Sequence, residues 1–212
     1  MAKGTIVIDP GHGGTVEIGD SSANNAISAS GVLEKNITLR FAFLVRDALQ
    51  ELATIGGHTL QIHLTRETDK NLGLCDRAKV AKTKRADIFL SLHCNGFNKV
   101  VRGTETLIRP AVSNPKHAAD KAFALRVQKA TFNALKSHDV NAKNRGVKDQ
   151  KLGVLNRGCL GARPRGCMIE LEFIDVPAVD VLLNVGANSP QVRSDTAKAI
   201  AGAIIDDLKA NP

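Results

Sequence analysis

The sequence predicts a single α/β domain spanning residues 1–212, built on a largely parallel sheet. Apolar, strand-like runs alternate with segments in which apolar residues recur every three to four positions, and this alternation is typical of βα units. The 212 residues are enough to bury one sizeable core. No internal repeat or low-complexity linker interrupts them, so no domain boundary is predicted.

The first half of the chain contributes three predicted strands and two predicted helices. Thr5–Ile8 is a short apolar run and His58–Arg66 alternates apolar and polar residues, so both are predicted strands. Apolar residues repeat at helical spacing over Glu34–Ala53, which predicts the first helix, and a second is predicted over Leu74–Lys84. Asp87–His93 is nearly continuous in apolar residues, which indicates a strand buried on both faces.

The second half continues the alternation. Gly103–Pro110 predicts a strand, and Ala118–Leu135 carries an apolar stripe that predicts a long helix. Two more strands are predicted at Gly153–Arg157 and Gly166–Ile174. The last helix is predicted over Arg193–Leu208 from its apolar repeat.

The composition narrows the classes of partner. The chain has a formal net charge of +8 and contains neither Trp nor Tyr. A basic balance favours anionic partners, but the basic residues are dispersed and aromatic stacking platforms are scarce, so no nucleic-acid partner is predicted. No apolar run reaches the length of a membrane span and no signal peptide is visible, so membrane insertion is not expected.

The four cysteines are too few for a disulfide scaffold. Cys75, Cys94, Cys159 and Cys167 include no CxxC pair, which argues against a zinc ribbon or a thioredoxin-type site. Cys159 and Cys167 are near enough in sequence to bridge, but their spacing does not require it.

Two histidines follow predicted buried strands: His12 in TIVIDPGHGG and His93 in SLHCN. Open α/β sheets bind ligands at the carboxyl ends of their strands, so neighbouring strands would bring both imidazoles to one edge. A catalytic zinc site needs three protein ligands. Glu34, which opens the first helix, is the best third candidate, and Glu17 in the preceding polar loop competes with it. The alternative is two solvated histidines and an ordinary first-turn acid at Glu34.

An acid also lies within the apolar stretch CMIELEF. Strand alternation places Met168, Glu170 and Glu172 on one face. A buried carboxylate is costly unless it is paired or lies near a metal, so Glu170 is a candidate general base. The alternative is that Glu170 and Glu172 share the solvated face of an edge strand.

Four ordered stretches, IDPGHGG, GVLEKNITL, SLHCN and IELEFID, resemble those of the zinc-dependent N-acetylmuramoyl-L-alanine amidases of the amidase type 3 family. The resemblance implies a mixed, mainly parallel sheet flanked by helices on both faces. It also implies one Zn²⁺ per chain, bound by His12, Glu34 and His93, with Glu170 as the catalytic residue. The chain departs from the family pattern at Glu172, where a glycine is usual, and this leaves the role of Glu172 open.

The resemblance further implies hydrolysis of the amide between N-acetylmuramic acid and L-alanine in peptidoglycan, with a zinc-held water as nucleophile and Glu170 as general base and acid. We expect Asp9 to orient His12 or its turn. Basic side chains should meet the carboxylates of stem peptides, and Arg66, Arg77 and Arg157 are the candidates by position.

Cell-wall degradation implies a periplasmic or extracellular site of action. The absence of a visible signal peptide fits a phage-type endolysin, or an autolysin whose signal has been removed. No separate wall-binding module is expected, because the motifs span residues 1–212. Three alternatives remain: a binding module of the same fold without catalysis, a different metallohydrolase such as a deacetylase or peptidase, and, last, a nucleic-acid binder.

Overall fold

A computed structural model describes all 212 residues and shows a six-stranded mixed sheet in the order β2-β1-β3-β6-β4-β5. The strands are β1 (Lys3–Pro10), β2 (Thr59–Leu64), β3 (Ile88–Asn95), β4 (Thr104–Ile108), β5 (Asn144–Asp149) and β6 (Arg165–Phe173). The helices are α1 (Glu34–Gly56), α2 (Leu74–Thr83), α3 (His117–His138), α4 (Arg157–Leu160), α5 (Pro177–Asp180) and α6 (Ser189–Ala210). Short 3-10 and π-helical turns lie at Ala111–Ser113 and Val181–Val185.

Strand direction follows from the connections. The strands β2, β1, β3 and β6 run parallel, whereas β4 is antiparallel to β6 and parallel to β5. The short segment between β3 and β4 contains no crossover helix, so the chain turns back and β4 runs antiparallel to β3 and to β6, which lies between them. The prediction of a mixed, mainly parallel sheet is therefore confirmed.

Two apolar cores lie on opposite faces of this sheet. Along β1, Ile6 and Ile8 pack into the larger core with α1, α3 and α6, whereas Val7 packs into the smaller core with α2 and α4. This alternation is the two-residue period of a strand buried on both faces. The prediction of helices on both faces is confirmed.

One predicted strand is wrong, and one strand has no counterpart in the prediction. Gly153–Arg157 forms no strand; it is a turn that leads into α4. The strand that the sequence does not predict is β5, with the sequence NRGVKD. Its residues are half-buried or exposed at the sheet edge. An edge strand needs no apolar alternation when solvent covers one side of it, so its polar sequence conceals it.

The cysteines pair differently from the possibility raised by their spacing. A disulfide joins Cys75 of α2 to Cys159 of α4, while Cys94 and Cys167 are buried free thiols. A Cys159–Cys167 bridge is wrong because Cys167 packs into the larger core and Cys159 lies against the smaller one, with the sheet between them.

No helix is both long and apolar enough to cross a membrane.

Candidate metal centre

The turn after β1 has an uncommon backbone conformation at His12 and packs closely against the ring of His93. His12 adopts a left-handed backbone with φ of 60°, which is uncommon for a non-glycine residue and marks a constrained position. A Cβ on Gly11 would lie 2.4 Å from Cε1 and Nε2 of His93. Glycine is therefore required at position 11 by the ring of the second histidine, which fills the space of a side chain.

The three predicted ligands converge at this edge of the sheet. Their ligand atoms all lie within 4.8 Å of one another. Oε1 of Glu34 lies 3.3 Å from Nε2 of His12 and 3.0 Å from Nδ1 of His93. Glu17 is exposed in the loop and is not part of the group. Glu34 is thus the third member of the cluster, at the first residue of α1.

Backbone amides hold the Glu34 carboxylate in place. Its Oε2 accepts from the amide of Ala26 at 2.9 Å and its Oε1 from the amide of Cys94 at 3.0 Å. Burial alone would raise the pKa of Glu34, but His12 and His93 overcome it and lower that pKa far below its usual value. The acid is therefore an anion between two imidazoles, which is the charge state that a cation ligand needs.

The polar loop before α1 orients His12. Nδ1 of His12 lies 3.0 Å from the carbonyl oxygen of Ser22 and 3.1 Å from the hydroxyl of Ser22. Because a carbonyl oxygen only accepts, Nδ1 donates to Ser22, which leaves Nε2 as the nitrogen available to a metal ion. Metal-binding histidines in proteins are commonly oriented in this way. The two imidazoles and one carboxylate fit Zn²⁺ in number and donor type.

Asp9 acts on the turn and not on the imidazole of His12. Its buried carboxylate pairs with Nη1 of Arg77 at 3.0 Å and accepts from Ser91 at 2.8 Å. Nη2 of Arg77 donates in turn to the carbonyl of His12 at 2.6 Å. Burial alone would raise the pKa of Asp9, but Arg77 and the hydroxyls of Thr65 and Ser91 lower it below its usual value.

The expectation that Arg66 and Arg157 meet the substrate is wrong, because neither lines the pocket at the triad; Arg77 lines that pocket, but its side chain is buried and holds the His12 turn. Arg66 and Arg77 are 5% and 1% exposed and donate to backbone carbonyls around the His12 turn. Arg157 pairs with Asp120 and donates to the carbonyl of Pro164. All three therefore hold the fold together, because many carbonyl groups at loops and strand ends need a buried donor.

Glu170 lies beside the triad in the interior of the sheet. It pairs in register with His93 of β3 and with Glu105 of β4, so β6 is not an edge strand and the solvated alternative is wrong. Its Oε2 is buried and has no hydrogen-bond partner. Burial, together with the carboxylates of Glu34 and Glu105, raises the pKa of Glu170 well above its usual value. An unpartnered carboxyl with a raised pKa is suited to proton transfer near neutral pH.

Glu172 has a structural role. It is fully buried, and its Oε2 accepts from the amides of Gly103 at 2.6 Å and Phe173 at 3.0 Å. Arg102 lies 3.5 Å from its Oε1. Asp175, which follows β6, accepts from the amides of Phe97 and Lys99 and holds the loop after β3.

Glu105, the register partner of Glu170, and the three polar residues that contact it are absent from the candidates that the sequence supplies. Oε2 of Glu105 accepts from Nε of Arg145 at 2.8 Å and from Nζ of Lys148, and its Oε1 accepts from Asn95 at 2.9 Å. These contacts lower the pKa of Glu105 although burial opposes them. A signal exists in the sequence, because Glu105 interrupts the apolar strand GTETLIRP just as Glu170 interrupts its own strand.

A small polar pocket opens at the triad. Its volume is about 90 Å³, and both histidines of the triad line it with Arg77, Ser22 and Val154. A pocket that contains two metal-type ligands, next to an acid with a perturbed pKa, is the default location for chemistry.

The comparison with known families identifies the class. Residues 6–206 match the model of the N-acetylmuramoyl-L-alanine amidase family of amidase type 3. The chain belongs to this family, as the motifs predicted.

Individual relatives agree with this assignment. An uncharacterized cell wall amidase of Bacillus anthracis is 31% identical over 95% of this chain and 35% of its own length. N-acetylmuramoyl-L-alanine amidase AmiA of Escherichia coli is 34% identical over 58% of this chain and 33% of its own. The chain thus spans about a third of the length of these relatives.

A solved structure shares the fold. The N-acetylmuramoyl-L-alanine amidase of Clostridium difficile 630 superposes with a TM-score of 0.78 at 22% identity, over 98% of each chain. At that identity the likeness establishes the α/β architecture alone.

Proposed function

We propose that this protein is a zinc-dependent amidase that hydrolyses the bond between the lactyl group of N-acetylmuramic acid and L-alanine in peptidoglycan. The observation that carries the proposal is the position of Glu170. Its unpartnered carboxylate lies in register with His93, directly beside the His12–Glu34–His93 triad, in a chain of the amidase family.

Each residue has a distinct part in the proposed reaction. Zn²⁺ held by the triad would act as a Lewis acid on the scissile carbonyl and lower the pKa of water at the site to about 7. Ser22 keeps the proton of His12 on Nδ1, and the amides of Ala26 and Cys94 fix the orientation of Glu34. These contacts set the ligands in place before substrate arrives, so little reorganisation accompanies the reaction.

Glu170 handles the proton. It accepts a proton from the attacking water as the new C–O bond forms. It then donates that proton to the nitrogen of L-alanine as the C–N bond breaks, which leaves a carboxylic acid on the lactyl group and a free amine on the peptide. A raised pKa serves both halves of this cycle, because the same group must take up and release one proton near neutral pH.

The 212 residues act as one catalytic domain in this proposal, with the bacterial cell wall as its place of action. The ligands come from the turn after β1, from α1 and from β3, and the proton-transfer acid comes from β6, so three neighbouring parallel strands and the first helix contribute to one site. Peptidoglycan or its muropeptide fragments are the partner.

The test uses purified peptidoglycan and defined muropeptides, with metal analysis of the same protein. We expect release of peptides with an L-alanine amino terminus, loss of activity with a chelator, and recovery with Zn²⁺. Glu170→Gln should bind zinc normally and lose about 100-fold or more in kcat. Glu17→Gln, which changes an exposed acid of the neighbouring loop, is the matched control and should remain active. Release of acetate instead of an amine would contradict the proposed bond.

A further inference from the structure

We propose that Arg145 and Lys148 form a carboxylate-binding subsite that selects the peptide part of the substrate. The inference rests on the proposed function and deepens it. These two residues, called the cationic pair below, lie on β5, and their head groups both contact Glu105, the register partner of Glu170.

The sheet register places the cationic pair in line with the catalytic centre. His93 of β3 is paired with Glu170 of β6, which is paired with Glu105 of β4, which is paired with Gly146 of β5. Register partners on neighbouring strands of a sheet project from the same face, whether the strands are parallel or antiparallel. A row of polar side chains therefore runs across three adjacent strands, from His93 through Glu170 to Glu105. The cationic pair extends this row onto β5 because both of its head groups contact Oε2 of Glu105.

The length of this row matches a short peptide. Neighbouring strands are about 4.8 Å apart, so the backbone of β5 lies roughly 10 Å from that of Glu170. An extended chain advances about 3.3 Å per residue. A carboxylate two or three residues from the scissile amide would therefore reach the cationic pair while the amide lies at the triad.

Arg145 is held with its carboxylate-binding edge free. Its only side-chain hydrogen bond is from Nε to Glu105, at 2.8 Å, so Nη1 and Nη2 have no partner in the protein. The guanidinium lies 5.0 Å from the ring centroid of Phe173. The aliphatic part of the Arg145 side chain packs against Gly103. A Cβ added at Gly103 would lie 2.8 Å from Cγ of Arg145. A guanidinium fixed on one side, with two parallel donors on the other, suits bidentate binding of a carboxylate.

The charge balance at the pair favours an anion. Two cations face the single carboxylate of Glu105, so the group keeps a net charge of +1, and the side chain of Lys148 is 44% exposed. Within the substrate of the proposed function, the N-acetylated glycan is neutral and the peptide carries the carboxylates. The cationic pair therefore points to the peptide and not to the sugar chain.

The experiment compares two synthetic substrates that differ only in charge. One is N-acetylmuramoyl-L-alanyl-glutamyl-lysine with free carboxylates, and the other carries carboxamides in their place. We expect the wild type to have a KM roughly tenfold lower for the carboxylate form, with similar kcat. Arg145→Gln should raise the KM for the carboxylate form alone, and Lys148→Gln should do so more weakly. Arg163→Gln is the matched control, because Arg163 pairs with Asp87 before β3, at the opposite end of the sheet.

The carboxamide substrate separates recognition from structural damage. A variant that merely disturbs Glu170 or the fold would lose kcat on both substrates, and its thermal midpoint would fall. The subsite is overturned if the wild type cleaves both substrates equally well, or if Arg145→Gln and Lys148→Gln both keep the wild-type preference. Cleavage of neither substrate by the zinc-loaded wild type would instead overturn the proposed function, and the subsite with it.

Discussion

Gly11→Ala should damage the metal centre through steric contact alone. The added methyl would lie 2.4 Å from Cε1 and Nε2 of His93 and 2.7 Å from its Nδ1. Ordinary contacts between carbon atoms are about 3.5–4.0 Å, so the imidazole must retreat by roughly 1 Å or more. Gly11 does not have a positive φ, so alanine adopts its backbone without strain and the collision with the ring is the whole perturbation.

The displacement acts on the ligand geometry. Nδ1 of His93 is held 3.0 Å from Oε1 of Glu34, and moving the ring breaks that arrangement. We expect zinc affinity to fall about 10–100-fold, the range seen when support of a metal ligand is lost. Overpacking should also cost about 1–3 kcal/mol of stability. Competition with a chromogenic chelator measures the affinity, and the thermal midpoint with and without Zn²⁺ measures the stability.

Gly202→Ala is the matched control. A Cβ at this position of α6 meets no atom within 4 Å, so zinc affinity should be unchanged and the helix slightly stabilised. If Gly11→Ala binds zinc as tightly as the wild type, the reasoning from ring contact is refuted.

Further predictions concern stability. Cys75→Ala should lower the free energy of unfolding by about 4 kcal/mol, because the bridge to Cys159 joins residues 84 apart; urea midpoints that coincide for variant and wild type under oxidising conditions would contradict this. Arg77→Met leaves the buried carboxylate of Asp9 unpaired and should cost about 3–5 kcal/mol, measured by urea unfolding at neutral pH. The pKa of Asp9 is lowered in the folded state, so its contribution is complete above the unfolded-state pKa of about 4 and is lost as the pH falls through the folded-state value. Urea titrations between about pH 2 and 6 should show a smaller loss of stability on acidification in Asp9→Asn than in the wild type, and equal losses would count against this origin.

Much of the site is predictable because its chemistry is local. His12 and His93 end buried strands, and Glu34 begins the first helix, so the sheet-edge rule alone predicts that all three lie together. Glu170 is predictable because a carboxylate within an apolar strand needs a reason to be there. These inferences depend on periodicity and residue type, which a sequence displays directly.

Other features depend on partners that the sequence does not display. Arg66, Arg77 and Arg157 look like surface cations, but each is needed by carbonyl groups or a carboxylate far away in sequence. The Cys75–Cys159 bridge joins two helices on one face of the sheet, and no spacing rule reveals a shared face. The polar edge strand β5 is not predicted for the same reason. It is a strand because it pairs with β4, and its own residues show no apolar alternation.

The order of residues along the chain is enough to establish the layered α/β class, the two strand-end histidines and the acids at the start of α1 and within β6. Those features follow from apolar periodicity and from the cost of burying a charge, both of which act locally along the chain. The folded arrangement is needed to show that His93 fills the space beside Gly11, and that Arg145 and Lys148 contact Glu105, the register partner of Glu170. The physical reason is register: strands far apart in sequence bring side chains within hydrogen-bonding distance only once their pairing is set.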